Sequence, residues 1–88
     1  MTDYRIELMK PARKFIEKQS RPQQERLIKA IYKLPLEGDI KPLEGQENVF
    51  RLRVGDYRII FSVYDEMLTV QVMTAGNRGD VYKYKNKK

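Results

Sequence analysis

The sequence has no cysteine and no histidine. These absences remove disulfides, thiolate nucleophiles, zinc sites of the Cys/His kind and imidazole acids or bases. They fit a reducing compartment. No apolar run approaches the ~20 residues that a membrane-spanning helix needs, and residues 1–5 lack the apolar core of a signal peptide. The expected location is therefore the cytoplasm, with no membrane partner. Repeats and low-complexity stretches are also missing. What remains is a chain of 88 residues, 41% hydrophobic and 34% charged, enough for one domain over residues 1–88 with one modest core. Lys and Arg number 18 against 12 Asp and Glu, a formal net charge of +6. A small domain this basic leans towards a polyanion or an acidic protein as partner.

Hydrophobic spacing predicts the elements. Tyr4, Ile6 and Leu8 alternate with Arg5 and Glu7, the period-two pattern of a short strand over residues 4–9. Pro11 suits a first helical turn, and Ala12, Phe15 and Ile16 form the apolar stripe of a helix reaching about Gln19. Pro22 opens a second helix, with Leu27, Ile28, Ile31 and Leu34 on one face and Pro35 at its end. Residues 36–48 hold Gly38, Pro42 and Gly45 and read as a loop. From Val49 the period becomes two. Phe50, Leu52 and Val54 alternate with Arg51 and Arg53; Gly55-Asp56 turns. Tyr57, Ile59, Phe61 and Val63 alternate with Arg58, Ile60, Ser62 and Tyr64; Asp65-Glu66 turns again. Leu68, Val70 and Val72 then alternate with Thr69, Gln71 and Met73. Connections this short join antiparallel strands. The expected fold is α+β, in the order β-α-α-β-β-β, with a helical hairpin over one face of a mainly antiparallel sheet. Its core draws on the apolar strand positions from Phe50 to Val72, Leu68 among them.

Successive strand residues face opposite ways, so Arg51, Arg53 and Arg58 are expected together on the face without helices, exposed beside Gln71 and Met73. Three guanidinium groups so placed repel one another unless an anion lies among them, and their planar forks match phosphate oxygens. The plainer account is a solvated strand face in which each Arg pairs an acid. Asp56, in the turn, is the acid close in sequence. After the third meander strand, Thr74-Ala75-Gly76-Asn77-Arg78-Gly79-Asp80 sets two glycines near Arg78, and Tyr82 follows. Alone, such a loop is more often a plain turn, and such a tyrosine more often a packed side chain.

Together these residues carry a resemblance. Phe50-Arg51-Leu52-Arg53-Val54-Gly55-Asp56-Tyr57-Arg58-Ile59-Ile60-Phe61, followed by Ala75-Gly76-Asn77-Arg78-Gly79-Asp80-Val81-Tyr82, resembles the RelE branch of the RelE/ParE toxin superfamily. The resemblance implies a toxin that cuts messenger RNA in the ribosomal A site without metal or cofactor and is neutralised by a cognate antitoxin. DNA would be met only indirectly, through the toxin–antitoxin complex. The implied reaction is transesterification: a 2′-hydroxyl attacks the adjacent phosphodiester, leaving a 2′,3′-cyclic phosphate and a 5′-hydroxyl. Such a step needs a base, neutralisation of the crowded phosphorane and a proton for the leaving oxygen. By position, the resemblance assigns Arg58 to transition-state charge and Arg78 to the phosphate or leaving oxygen. Tyr82 would stack on a base or orient the 2′-hydroxyl. Arg51 and Arg53 form the basic pair on the first meander strand, Arg51 on the RNA backbone and Arg53 at the reacting centre as well. Lys83 and Lys85 of the basic tail add RNA-binding charge.

Two positions depart from the family pattern. Arg53 stands where some relatives have a lysine, which can lose its proton when its pKa is depressed, as an arginine almost never can. Asn77 stands where many have a histidine, and it moves no proton at neutral pH. Positioning and electrostatics are thus expected to dominate, with Tyr82, substrate geometry or solvent covering proton removal. Two other readings remain: a ParE-like poison that binds DNA gyrase and cuts nothing, and an inactive relative that binds RNA or the ribosome. ParE-type chains generally lack the full set Arg51, Arg53, Arg58, Arg78 and Tyr82.

Overall fold

The computed structural model describes residues 4–77. Its elements are β1 (Arg5–Leu8), α1 (Lys10–Glu17), α2 (Arg21–Ile31), β2 (Asp39–Pro42), β3 (Val49–Val54), β4 (Tyr57–Tyr64) and β5 (Thr69–Asn77). One turn of 3-10 helix, Asp65–Met67, joins β4 to β5. The sheet order is β1-β5-β4-β3-β2. β1 runs parallel to β5, and every other pairing is antiparallel. The architecture is α+β, two helices packed on a five-stranded mixed sheet.

Both helices begin as their prolines dictate. Pro11 and Pro22 sit in first turns, where a missing N–H leaves no bond unmade. Gln24 of α2 donates through Nε2 to the carbonyls of Glu17 and Gln19 at 3.2 and 3.1 Å, satisfying acceptors that the end of α1 would leave open. The two helices are thereby tied at their junction. α1 lies against β5. Ala12, Ile16, Leu27, Ile31 and Leu34 meet Leu52, Ile59, Phe61, Val70 and Val72 in a core from which water is almost wholly shut out. Phe50 stacks on Phe61 at 5.6 Å, and Phe15 meets Tyr57 edge-on at 5.8 Å.

Three expectations need correction. Residues 36–48 are not all loop, because β2 pairs with β3 in register Asp39↔Arg53, Ile40↔Leu52, Lys41↔Arg51 and Pro42↔Phe50. Leu68 is not in the core. It is 48% exposed and takes a left-handed conformation, φ 46°, as the 3-10 turn ends. The last strand also does not stop near Met73. It continues to Asn77, with a bulge opposite Ile60/Phe61 that admits one extra residue.

Candidate functional site: an arginine face on the open side of the sheet

Register decides which side chains share the face away from the helices. Arg53 lies directly opposite Arg58, and Arg51 opposite Ile60. Asp39 is opposite Arg53 on the other side, and Lys41 opposite Arg51. Residues paired across a sheet point the same way. Arg51, Arg53 and Arg58 therefore share one face, as their alternation predicts, and Asp39 and Lys41 share it with them.

The three guanidinium groups have different surroundings. Arg53 is half exposed; its Nε lies 3.1 Å from Asp39 Oδ2. The Arg51 side chain is only 13% exposed and sends Nη2 to Asp39 Oδ1 at 3.4 Å. A single carboxylate thus bridges two arginines. Arg58 is buried, 8% exposed, which corrects the expectation that it is exposed. Its Nη1 donates to the backbone carbonyls of Gly55 at 3.2 Å and Tyr57 at 3.1 Å. No carboxylate among the described residues lies within ion-pair distance of it. The Nε atoms of Arg51 and Arg58 are buried without a hydrogen-bond partner among the described residues. Burying a guanidinium is costly unless an opposite charge and further hydrogen bonds compensate. Two carbonyls compensate only in part, so the centre of this face is strongly receptive to an anion.

The tight turn between β3 and β4 holds this arrangement. Gly55 has φ 59°, a conformation that side chains disfavour, and a Cβ there would come within 2.6 Å of Arg26 Nη2. Opposite Arg58 on β5 is Gly76, which has no side chain to crowd the guanidinium. Next to the arginines is a small apolar floor: Ile60 and Leu43 are buried, with Val49 and Met73 packed on them. Ser62 donates to Met73 Sδ at 3.0 Å, and Gln71 donates to Glu7 at 3.2 Å. Of the expected neighbours, Met73 packs on this floor, while Gln71 lies opposite Ser62 and is bonded towards β1.

Asp56 is not the acid that meets the arginines; it sits exposed in the turn. That part belongs to Asp39, which alternation alone could not reveal because β2 is short and polar. Thr74 to Asn77, expected in a loop, belong to β5. Arg78, Tyr82, Lys83 and Lys85 lie outside the described residues.

The model of the ParE toxin of type II toxin–antitoxin systems, parDE, matches residues 6–82. RelE in the archaeal RelE–RelB complex from Pyrococcus horikoshii OT3 is similar at TM-score 0.75 and 27% identity, over 91% of this chain and 99% of that one. The toxin–antitoxin complex RelBE2 of Mycobacterium tuberculosis gives TM-score 0.72 and 25% identity, over 85% and 98%. The isolated E. coli RelE toxin shares the fold at TM-score 0.71 and 23% identity, over 94% and 95%. None of the curated proteins compared with the chain matches it.

Proposed function

The chain belongs to the ParE toxin family of type II toxin–antitoxin systems, within the RelE/ParE superfamily, and from that premise we propose that it is a ribosome-dependent, metal-independent mRNA endoribonuclease. The observation that carries the proposal is the convergence of Arg51, Arg53 and Arg58 on one sheet face, with Arg58 buried and lacking a carboxylate partner among the described residues. A phosphodiester passing through a phosphorane gains negative charge on its non-bridging oxygens. A guanidinium already desolvated and fixed by two backbone carbonyls stabilises that charge without reorganising. Arg58 takes this part. Arg51 and Arg53 hold the flanking backbone, Arg53 also bordering the reacting phosphate. Arg78 is assigned to the leaving oxygen and Tyr82 to base stacking and orientation of the 2′-hydroxyl, with Lys83 and Lys85 adding charge along the RNA.

No histidine exists to serve as base, and an arginine at position 53 holds its proton. Rate enhancement then comes from alignment of the 2′-hydroxyl and from electrostatics, with the ribosome supplying much of the alignment. The partners of this reading are the ribosome with its mRNA and a cognate antitoxin; similar toxins are seen in complex with RelB. The ParE name of the matching family favours a second reading, a gyrase poison that cuts no RNA.

Induction in cells followed by mapping of mRNA 5′ ends separates the two. New 5′-hydroxyl ends inside translated frames are expected. Intact transcripts with broken chromosomes would overturn the nuclease in favour of the poison.

A further inference from the structure

Asp39 is the feature of the arginine face with no part in the reaction just described. It lies at the start of edge strand β2, 44% exposed, and divides its two oxygens between two arginines, Oδ2 with Arg53 Nε at 3.1 Å and Oδ1 with Arg51 Nη2 at 3.4 Å. Two oxygens on one anionic centre, spanning two guanidinium groups, is also how a phosphodiester would sit there. Arg58, directly across from Arg53, has no such carboxylate among the described residues and is met by carbonyls. Within those residues, two arginines of the site have an internal counter-ion and one has none.

We propose that Asp39 is a built-in stand-in for an RNA phosphate: its carboxylate holds the seat between Arg51 and Arg53 until a phosphodiester of single-stranded RNA takes its place. The inference rests on the nucleic-acid reading of this face and adds a residue that sets its selectivity. Without Asp39, Arg51, Arg53, Arg58 and Lys41 would crowd one patch of sheet with no negative charge from the described residues among them, and any passing polyanion would be held. With it, a single stray phosphate must displace a carboxylate that is already in place. The contact is exposed enough to be surrendered, since ion pairs of this kind are weak and screened by salt. RNA presented in register, with a further phosphate offered to Arg58, gains enough elsewhere to make the exchange. The Arg51 Nε, buried without a partner among the described residues, is a donor that Asp39 leaves unused and a phosphate oxygen can take.

Exchange predicts a sign that simple positioning does not. The test is the affinity of a short, uncleavable 2′-O-methyl oligoadenylate for the full chain across a salt series, with wild type, Asp39→Asn, Asp39→Ala and Glu25→Gln compared. Glu25, on α2, controls for the same loss of one negative charge at an exposed position on a helix. Both Asp39 variants are expected to bind about two- to ten-fold more tightly at low salt. The slope of log K against log salt should steepen by about 0.7, the single-strand value for one more phosphate neutralised. Glu25→Gln should shift affinity less and leave the slope alone. Weaker binding by the Asp39 variants, an unchanged slope, a shift matched by Glu25→Gln, or no binding by any variant would each overturn the exchange. Thermal unfolding of each variant establishes that the fold is retained. Cleavage of ribosome-bound mRNA by wild type is scored separately. Wild type that leaves mRNA uncut while Asp39→Asn tightens and steepens binding defeats the nuclease and spares the inference. Wild type that cuts while Asp39→Asn binds no better defeats the inference alone.

Discussion

The two faces of the sheet are made by the same strands and obey different rules. Towards the helices, Leu52, Ile59, Phe61, Val70 and Val72 are at most 1% exposed and surrounded by aliphatic side chains from α1 and α2. Their identities are set by volume, and another apolar residue of similar size would serve nearly as well. On the other face, Arg51, Arg53 and Arg58 alternate with those core residues, and their value depends on charge and direction, which no residue of similar size replaces. That face is not uniformly polar, however. Ile60 is as closed to solvent as the core, and Leu43 is also buried. Ile60 lies directly across from Arg51, so this apolar floor borders the arginines on a face that neither α1 nor α2 covers. One face supplies most of the stability, and a small apolar floor on the other lends the charges a low-dielectric border.

Breaking each side separately should give distinct phenotypes. Phe61→Ala removes a ring wholly buried against Phe50 and should cost about 3–5 kcal/mol, enough to unfold much of a small domain, seen as lost cooperative melting. Arg58→Ala should leave a folded protein by circular dichroism while cleavage of ribosome-bound mRNA falls about 10²–10³-fold, the cost of losing one preorganised charge stabiliser. An Arg58→Ala protein that still cuts at the original rate would take Arg58 out of the chemistry. Ile60→Ala tests the boundary between the faces: a loss of about 2 kcal/mol by denaturant titration, near the low end for a buried Ile because its cluster is small, should accompany weakened RNA binding. The smallest effect belongs to Tyr4, whose hydroxyl donates to Asp65 at 2.7 Å. That bond raises the phenol pKa above its ordinary value of 10.0. The folded chain therefore holds this proton more firmly than the unfolded one, a contribution fully present below pH 10 and lost as pH climbs through the raised value. Tyr4→Phe should lower Tm slightly and evenly below pH 10 and converge on wild type as pH climbs through the raised value.

How much of this could be read in the sequence varied with how strongly each segment was patterned. β3 and β4 carry long alternations of apolar residues with Arg51, Arg53 and Arg58, so strands, faces and the gathering of the arginines were all legible. β2 was not. Asp39–Pro42 has four residues, one of them apolar, and ends in a proline, so no period stands out from a loop; its existence depends on pairing with β3. Missing β2 meant missing Asp39, because a carboxylate twelve residues from Arg51 becomes its neighbour only through register. The burial of Arg58 was illegible for a similar reason. Alternation assigns a side chain to a face and is silent on what else is packed there. Leu68 misled by hydrophobicity: its backbone is taken by the left-handed end of a 3-10 turn, which puts an apolar side chain into solvent. Gly76, read as a loop residue, belongs to a strand whose bulge absorbs the irregularity.

The parallel pairing of β1 with β5 has a consequence for how the molecule is made. Arg5 meets Thr69, so among the described residues β1 has no sheet partner until β5 exists. While a ribosome is still adding β5, or while that segment is inside the exit tunnel, the leading strand and the helix leaning on β5 have nowhere to dock. Contacts of such long sequence separation also form slowly. β1 and the helix that leans on β5 therefore settle only once β5 is free to receive them.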